Sequence, residues 1–247
     1  MNYIRIIIAT LLANNLTGFL IRRLVNNTFS VKGAIINTDS KFITNTTCAH
    51  LFFRMYESSE IRFVLKYINP QTTILELGSS IGVIASVLSC NVQKLEFHCI
   101  EANLNLMETL KENLDKNVSG NYGLYNYAVV GNDNNSQLYF QTGNDSTTGH
   151  ICHEKTDLII PTITLSEFLA TRKIKEYTLI CDIEGAEVEI LKNDSKALDL
   201  CQMVIIELHE TSYSNSFYSI EKLSKIIIEC GFKVVEKDGP NYVFIRK

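Results

Sequence analysis

Two short segments crowd acids beside groups able to act on a bound ligand. In Leu179-Ile180-Cys181-Asp182-Ile183-Glu184-Gly185-Ala186-Glu187, three carboxylates fall within six residues, and Gly185 permits a sharp turn. In Val204-Ile205-Ile206-Glu207-Leu208-His209-Glu210, Glu207 and His209 stand two apart and share one face if a strand runs through them. Carboxylates this close repel one another, so a structural role alone would have to offset that cost. A histidine at a strand end titrates near neutrality and suits a general base. Asp182 is the other candidate proton acceptor, and Glu184 and Glu207 complete the same catalytic group. A second chemistry is open to these acids: Asp182, Glu184 and Glu207 could ligate Mg²⁺ and lower the pKa of a bound hydroxyl. The metal-free base is the favoured version. Glu187 reads equally well as an acid opening a helix.

A different site is written in Ile74-Leu75-Glu76-Leu77-Gly78-Ser79-Ser80-Ile81-Gly82. An apolar run ends, turns on a glycine and restarts as an apolar helix. Gly78 can take φ > 0 and admit close approach to the main chain, and the helix start offers unpaired N–H groups. Glu101 closes the next apolar run, 23 residues after Gly78, where a carboxylate suits the two vicinal hydroxyls of a ribose. That serves NAD and S-adenosylmethionine alike. The loop separates them: Gly78 and Gly82 lie four apart, unlike GxGxxG, and Glu76 favours an ammonium and sulfonium ligand over a pyrophosphate.

These residues need strand ends to hold them, and the chain supplies an alternation of strands and helices. Strands are expected at Thr73–Leu77, Leu95–Ile100, Tyr122–Val129, Ser136–Gln141, Tyr177–Cys181 and Met203–Glu207. Helices are expected at Ile81–Cys90, Asn105–Asn117, Thr164–Thr171, Glu187–Asn193 and Ile220–Cys230, the last capped by Gly231. Apolar spacing over residues 49–68 predicts one further helix, ended by Asn69-Pro70. Alternation implies a parallel α/β sheet with ligands at the strands' carboxyl ends. Phe232–Lys237 and Tyr242–Arg246, joined across Asp238-Gly239-Pro240-Asn241, form an antiparallel hairpin, because a parallel pair would need a long crossover. A parallel sheet finished by one antiparallel strand is similar to the sheet of class I methyltransferases.

ILELGSSIG, CIEAN, NYAVVGNDNNSQLYF, TLICDIEGAE and VIIELHE, in this order, resemble the FkbM family of S-adenosylmethionine-dependent methyltransferases. The resemblance covers residues 56–247; DIEGAE followed by IIELH is its specific part. It implies a Rossmann-like, seven-stranded sheet with a C-terminal antiparallel hairpin, and O-methylation of a sugar, polyketide or related hydroxyl. The resemblance also implies a place among enzymes of glycan and surface-polysaccharide synthesis. It implies Glu76, Gly78, Ser79, Ser80 and Gly82 beside the methionine part, Glu101 and Ala102 at the ribose, and Asp182 also in contact with the cofactor. It places Asn126 to Ala128 at the adenine edge and Asp182, Glu184, Glu207 and His209 on the acceptor side. Ser79-Ser80 stand where such loops commonly carry glycine. Two other readings stay open: a non-catalytic cofactor-binding or scaffold protein of the same fold, and an NAD-dependent sugar-modifying enzyme.

The net charge of −4, with no basic run, argues against a nucleic-acid partner. Seven cysteines without paired spacing read as reduced thiols, Cys99 and Cys181 buried, in a cytoplasmic protein. Residues 1–55 are expected to form a helical or irregular extension to the domain at 56–247. The apolar stretch Ile4–Leu12 is too short to span a membrane, and with Phe19–Val25 around Arg22-Arg23 it suggests a helix packed on the domain, on a second copy or on a membrane surface. Residues 142–156 form a polar loop expected to act as a lid over the acceptor; His150, Cys152 and His153 do not have zinc spacing.

Overall fold

The computed structural model describes residues 12–93, 95–132, 137–141, 150–152 and 159–247. The chain enters through α1 (Asn15–Leu24), a hairpin of β1 (Thr28–Val31) and β2 (Ala34–Asn37), then α2 (Asn45–Phe53) and α3 (Ser58–Tyr67). The hairpin corrects the expectation of a helical or irregular extension. Its turn is Lys32-Gly33, with φ of 49° and 95°, and positive φ at both central positions matches the right-handed twist of the strands. Nor is residues 49–68 one helix. Arg54 takes a left-handed φ of 60° while the amides of residues 54–56 close the end of α2, and Glu57 opens α3 at φ 46°. The apolar spacing continued through this break because both helices face the same core.

Asn113 and Asn117 explain how the extension is held. One turn apart on the helix Met107–Asn117, they bond Asn37 and Ile35 of β2, which lie two apart and so point their backbone groups the same way. Asn113 Oδ1 accepts from the Asn37 amide at 2.7 Å, and Asn117 Oδ1 from the Ile35 amide at 2.8 Å. Side-chain amides thus take the place of a neighbouring strand along an otherwise open edge.

The rest alternates: β3 (Thr73–Leu77), α4 (Val83–Asn91), β4 (Phe97–Ile100), α5 (Met107–Asn117), β5 (Tyr122–Tyr125), β6 (Ala128–Val130), β7 (Gln137–Gln141), β8 (His150–Cys152), β9 (Ile159–Thr164), α6 (Leu165–Arg172), β10 (Tyr177–Cys181), α7 (Glu187–Asn193), β11 (Cys201–Glu207), β12 (Thr211–Tyr213), β13 (Ser216–Tyr218), α8 (Ile220–Glu229), β14 (Phe232–Asp238) and β15 (Asn241–Arg246). Seven strands make the main sheet, in the order β14-β15-β11-β10-β3-β4-β5, with β15 antiparallel to both its neighbours. This is the α/β sheet with a C-terminal antiparallel hairpin that the sequence led us to expect. Asp238 pairs with Asn241, so the hairpin loop is two residues, Gly239-Pro240, shorter than the expected four; Gly239 supplies φ 60° and proline fixes the next φ. Buried clusters cover both faces of the sheet, and residues of β1, β2, α1 and α2 share one of them with α4 and α5.

The expected strand over Tyr122–Val129 splits in two. β5 ends the main sheet, whereas β6 joins β9 in a second sheet of order β6-β9-β7-β8. Asn126 marks the break, its side-chain amide donating to the carbonyls of Glu101 at 2.8 Å and Ala102 at 3.0 Å. The proposed lid at 142–156 lies, apart from the three residues of β8, outside the described residues.

Candidate active site

Strand order brings the carboxyl ends of β4, β3, β10 and β11 side by side, and each ends in or beside an acid. Between β3 and β10 the contact is close. The Asp182 amide donates to the Leu77 carbonyl at 3.0 Å. The Asp182 carbonyl then fills the space a side chain at Gly78 would need: a Cβ there, at φ 81°, would sit 1.7 Å from that oxygen. Gly78 therefore makes room for the neighbouring strand, where the sequence suggested room for a ligand.

The two loop serines have separate tasks. Ser80 takes φ 48°, the conformation that glycine commonly serves, and is pinned there on both sides. Its amide donates to Glu101 Oε2 at 2.7 Å, and its hydroxyl lies 3.0 Å from the Tyr56 hydroxyl. Ser79 is buried, and its hydroxyl donates back to the Glu76 carbonyl at 3.3 Å. Gly82, at φ 79°, caps α4. Glu101 Oε1 accepts the Asn103 amide at 2.6 Å, so each oxygen of this buried carboxylate holds one backbone N–H and keeps a second lone pair. Burial raises the Glu101 pKa, opposed by the amides of Asn103 and Ser80. A carboxylate fixed this way at a strand end fits a pair of ribose hydroxyls.

Glu76 is buried one strand away, and burial, aided by Glu101, pushes its pKa up to about 8 despite the Cys99 thiol donating at 3.6 Å. The folded chain therefore holds a proton that the unfolded chain has lost, so the stability this group contributes is present below about pH 4.5 and is lost as pH rises to about 8. Glu76→Gln is expected to match the wild type near pH 4.5 and to exceed it by roughly 4 kcal/mol at pH 8, read as the difference between urea unfolding curves. The same variant should bind S-adenosylhomocysteine at least about 10-fold more weakly; equal affinity would remove Glu76 from the binding site.

Across the cleft, His209 gathers the acids. Its Nδ1 lies 3.3 Å from Glu187 Oε1, and its Nε2 lies 3.6 Å from Glu184, 3.9 Å from Asp182 and 4.0 Å from Glu207. The four residues singled out from sequence, Asp182, Glu184, Glu207 and His209, do converge. Burial works against a charge on His209, yet Glu187, Asp182 and Glu184 outweigh it and raise its pKa to about 9. The near-neutral value expected from sequence is thus corrected: both ring nitrogens face carboxylates. Burial, with Glu207 adding, lifts Asp182 to about 7. Glu187, 1% exposed, also accepts the amides of Ile183 and Gly185, and so ties the turn at Gly185 to the histidine. Its partnership with His209 had no local signal beyond its place at the start of α7.

Three more residues went unseen in the sequence. The bend between α2 and α3 carries Tyr56, Glu57 and Glu60 to the same strand ends; Glu60 is 4% exposed, and burial together with Asp182 and Glu207 raises its pKa well above the ordinary carboxylate range. Oxygens of Glu60, Asp182 and Glu207 all lie within 4.8 Å of one another, so of the suggested Mg²⁺ set Glu184 gives way to Glu60. Asp182, Glu187 and His209 offer a second grouping of that kind. On the cofactor side, Ala128 sits on β6, buried in a small cluster with Ile160 and Ala102. Asn126 lies between the ends of β4 and β5, its amide engaged with the chain.

The model of the FkbM methyltransferase domain matches residues 76–234. A hexuronic acid methyltransferase of the archaeon Haloferax volcanii, AglP, is 25% identical over 155 residues, which make up 62% of this chain and 62% of that protein. Among solved structures, a methyltransferase from Pyrococcus furiosus superposes with a TM-score of 0.45 at 15% identity, covering 95% of this chain and 98% of that one. Magnesium protoporphyrin IX methyltransferase from Synechocystis PCC 6803, with bound S-adenosylmethionine, gives 0.45 at 10% identity, covering 98% and 97%.

Proposed function

The chain belongs to the FkbM methyltransferase family, and from that premise we propose that it is an S-adenosylmethionine-dependent O-methyltransferase acting on a hydroxyl of a sugar or glycan intermediate. The observation that carries this reading is the placing of two acid groups at the carboxyl ends of adjacent strands of one sheet. Glu76 and Glu101 end β3 and β4, and Asp182, Glu184 and Glu207 gather on His209 beyond β10 and β11. Ligands of open α/β sheets bind at such carboxyl ends.

Glu101, held by two amides, takes the ribose hydroxyls, and the loop from Gly78 to Gly82 with Glu76 takes the methionine part, whose positive groups favour loss of the proton from the buried Glu76 carboxyl. When bound, S-adenosylmethionine supplies an electrophilic methyl group. A sugar hydroxyl is a poor nucleophile, so its proton must leave during attack. Asp182 receives it: it ends β10 next to Gly78, its side chain is 30% exposed, and with Oδ1 buried the other carboxylate oxygen is the acceptor. His209 holds Glu184, Glu187 and Glu207 about that carboxylate as a positioning residue. The AglP relative, a hexuronic acid enzyme by name, supports a glycan acceptor. Among the described residues no helix is long and apolar enough to cross a membrane. The outward face of α1, with Leu16, Phe19, Leu20 and Leu24 exposed, supports a contact with a membrane surface or a second copy.

The test is calorimetric titration with S-adenosylhomocysteine, followed by mass spectrometry of neutral hexose and hexuronate acceptors incubated with S-adenosylmethionine. Micromolar binding and a methyl added to one acceptor class are expected. Absence of binding would sink the enzymatic reading, and binding without transfer to any sugar would favour a non-catalytic cofactor-binding protein.

A further inference from the structure

The acids of the cleft outnumber their cations. Glu60, Asp182, Glu184 and Glu207 gather about a single imidazole, that of His209, and Glu57 lies beside Glu60 and Asp182. In such a place each buried carboxylate must keep a proton or meet a cation. We propose that Glu60, Asp182 and Glu207 form a binding site for a divalent metal ion. Their oxygens lie within 4.8 Å of one another, and an ion with oxygen ligands at roughly 2.0–2.6 Å sets those ligands no more than about 5 Å apart.

A separate observation points to a ligand. Glu60 is 4% exposed and directed into this group, yet it has no hydrogen-bond donor and no ion-pair partner among the described residues. Asp182 Oδ1 and Glu57 Oε2 are likewise buried without donors. A carboxylate is costly to bury unpaired. The chain goes out of its way to do so: Glu57 and Glu60 reach the strand ends only because the α2–α3 bend puts Arg54 and Glu57 at left-handed φ of 60° and 46°. Hard oxygen donors and no thiolate among the three suit Mg²⁺, Mn²⁺ or Ca²⁺ rather than a soft metal. Asp182 has two oxygens, so ligation by one leaves the other facing the cleft.

The site is tested without the methyl donor. Full-length protein is freed of metal with EDTA, desalted, and titrated with Mn²⁺ by electron paramagnetic resonance, with Mg²⁺ and Ca²⁺ as competitors. One saturable Mn²⁺ site is expected. Glu60→Gln should weaken it by about 10-fold or more, while Glu96→Gln, a change at an exposed acid, leaves it as it was. Thermal unfolding of Glu60→Gln without metal verifies that the variant is folded. No saturable binding up to millimolar Mn²⁺, or equal binding by wild type and folded Glu60→Gln, overturns the proposal. Titration of S-adenosylhomocysteine in EDTA keeps the cofactor reading separate: binding there survives failure of the metal site.

Discussion

Gly78→Ala is expected to leave little folded protein, with a loss of more than about 4 kcal/mol in whatever can be recovered. Two costs combine. The φ of 81° is a left-handed conformation that a Cβ disfavours by about 1–2 kcal/mol. The larger cost is steric, since the new methyl would meet the Asp182 carbonyl oxygen at 1.7 Å. That oxygen cannot swing aside, because the Asp182 amide is bonded to Leu77 and β10 pairs with β3 along its whole length. The two central strands would have to part at the end where the acids meet. Gly82→Ala is the comparison. Its φ of 79° is similar, but the nearest atom is the tip of the Leu110 side chain at 2.8 Å, which can rotate. A loss of about 1–3 kcal/mol is expected there. Circular dichroism and urea unfolding of both variants decide the matter, and a Gly78→Ala protein as stable as Gly82→Ala would show that the β3–β10 contact is not as close as described.

Glu101→Ala should lower stability by about 2–4 kcal/mol and abolish measurable binding of S-adenosylhomocysteine. The carboxylate is the acceptor for two buried amides, Ser80 at 2.7 Å and Asn103 at 2.6 Å. Each stranded N–H costs about 1–3 kcal/mol, partly offset because alanine carries no charge to bury. Ser80 would also lose the bond that holds its left-handed φ, so the loop between β3 and α4 should loosen together with the ribose site. At about 2–4 °C per kcal/mol for a chain of this size, the melting temperature should fall by about 5–15 °C. Glu101→Gln separates the two roles: it keeps one carbonyl oxygen for one amide but turns an NH₂ towards the other. An intermediate stability with binding still lost is expected. Full binding by Glu101→Ala would take this residue out of the cofactor site.

The legibility of the fold varied with how local its causes were. β3, β10 and α7 were readable to their end residues because continuous apolar runs, bounded by acids and glycines, set their limits. The reversed β15 was readable because a two-residue Gly239-Pro240 loop admits only an antiparallel return. The β1–β2 hairpin was missed: its turn is Lys-Gly, without the asparagine or aspartate that usually announces positive φ. The break at Arg54 and Glu57 was missed for a related reason, since neither residue type favours left-handed backbone. The split at Asn126 depends on bonds to residues 24 and 25 positions away, which no window of sequence contains.

By itself, the sequence determined the sheet's alternation, the glycine corner, Glu101, and the convergence of Asp182, Glu184, Glu207 and His209, because strand ends and short-range spacing are local properties. Only the tertiary structure decided what those groups are like once together. It filled the space beside Gly78 with the Asp182 carbonyl, set Glu187 against His209, and brought Glu60 from the far side of a helix break to within reach of Asp182 and Glu207. The physical reason is that a carboxylate's or imidazole's charge state follows from burial and from neighbours a few ångströms away, and those neighbours come from separate segments, Glu187 lying 22 residues from His209 and Glu60 lying 122 from Asp182.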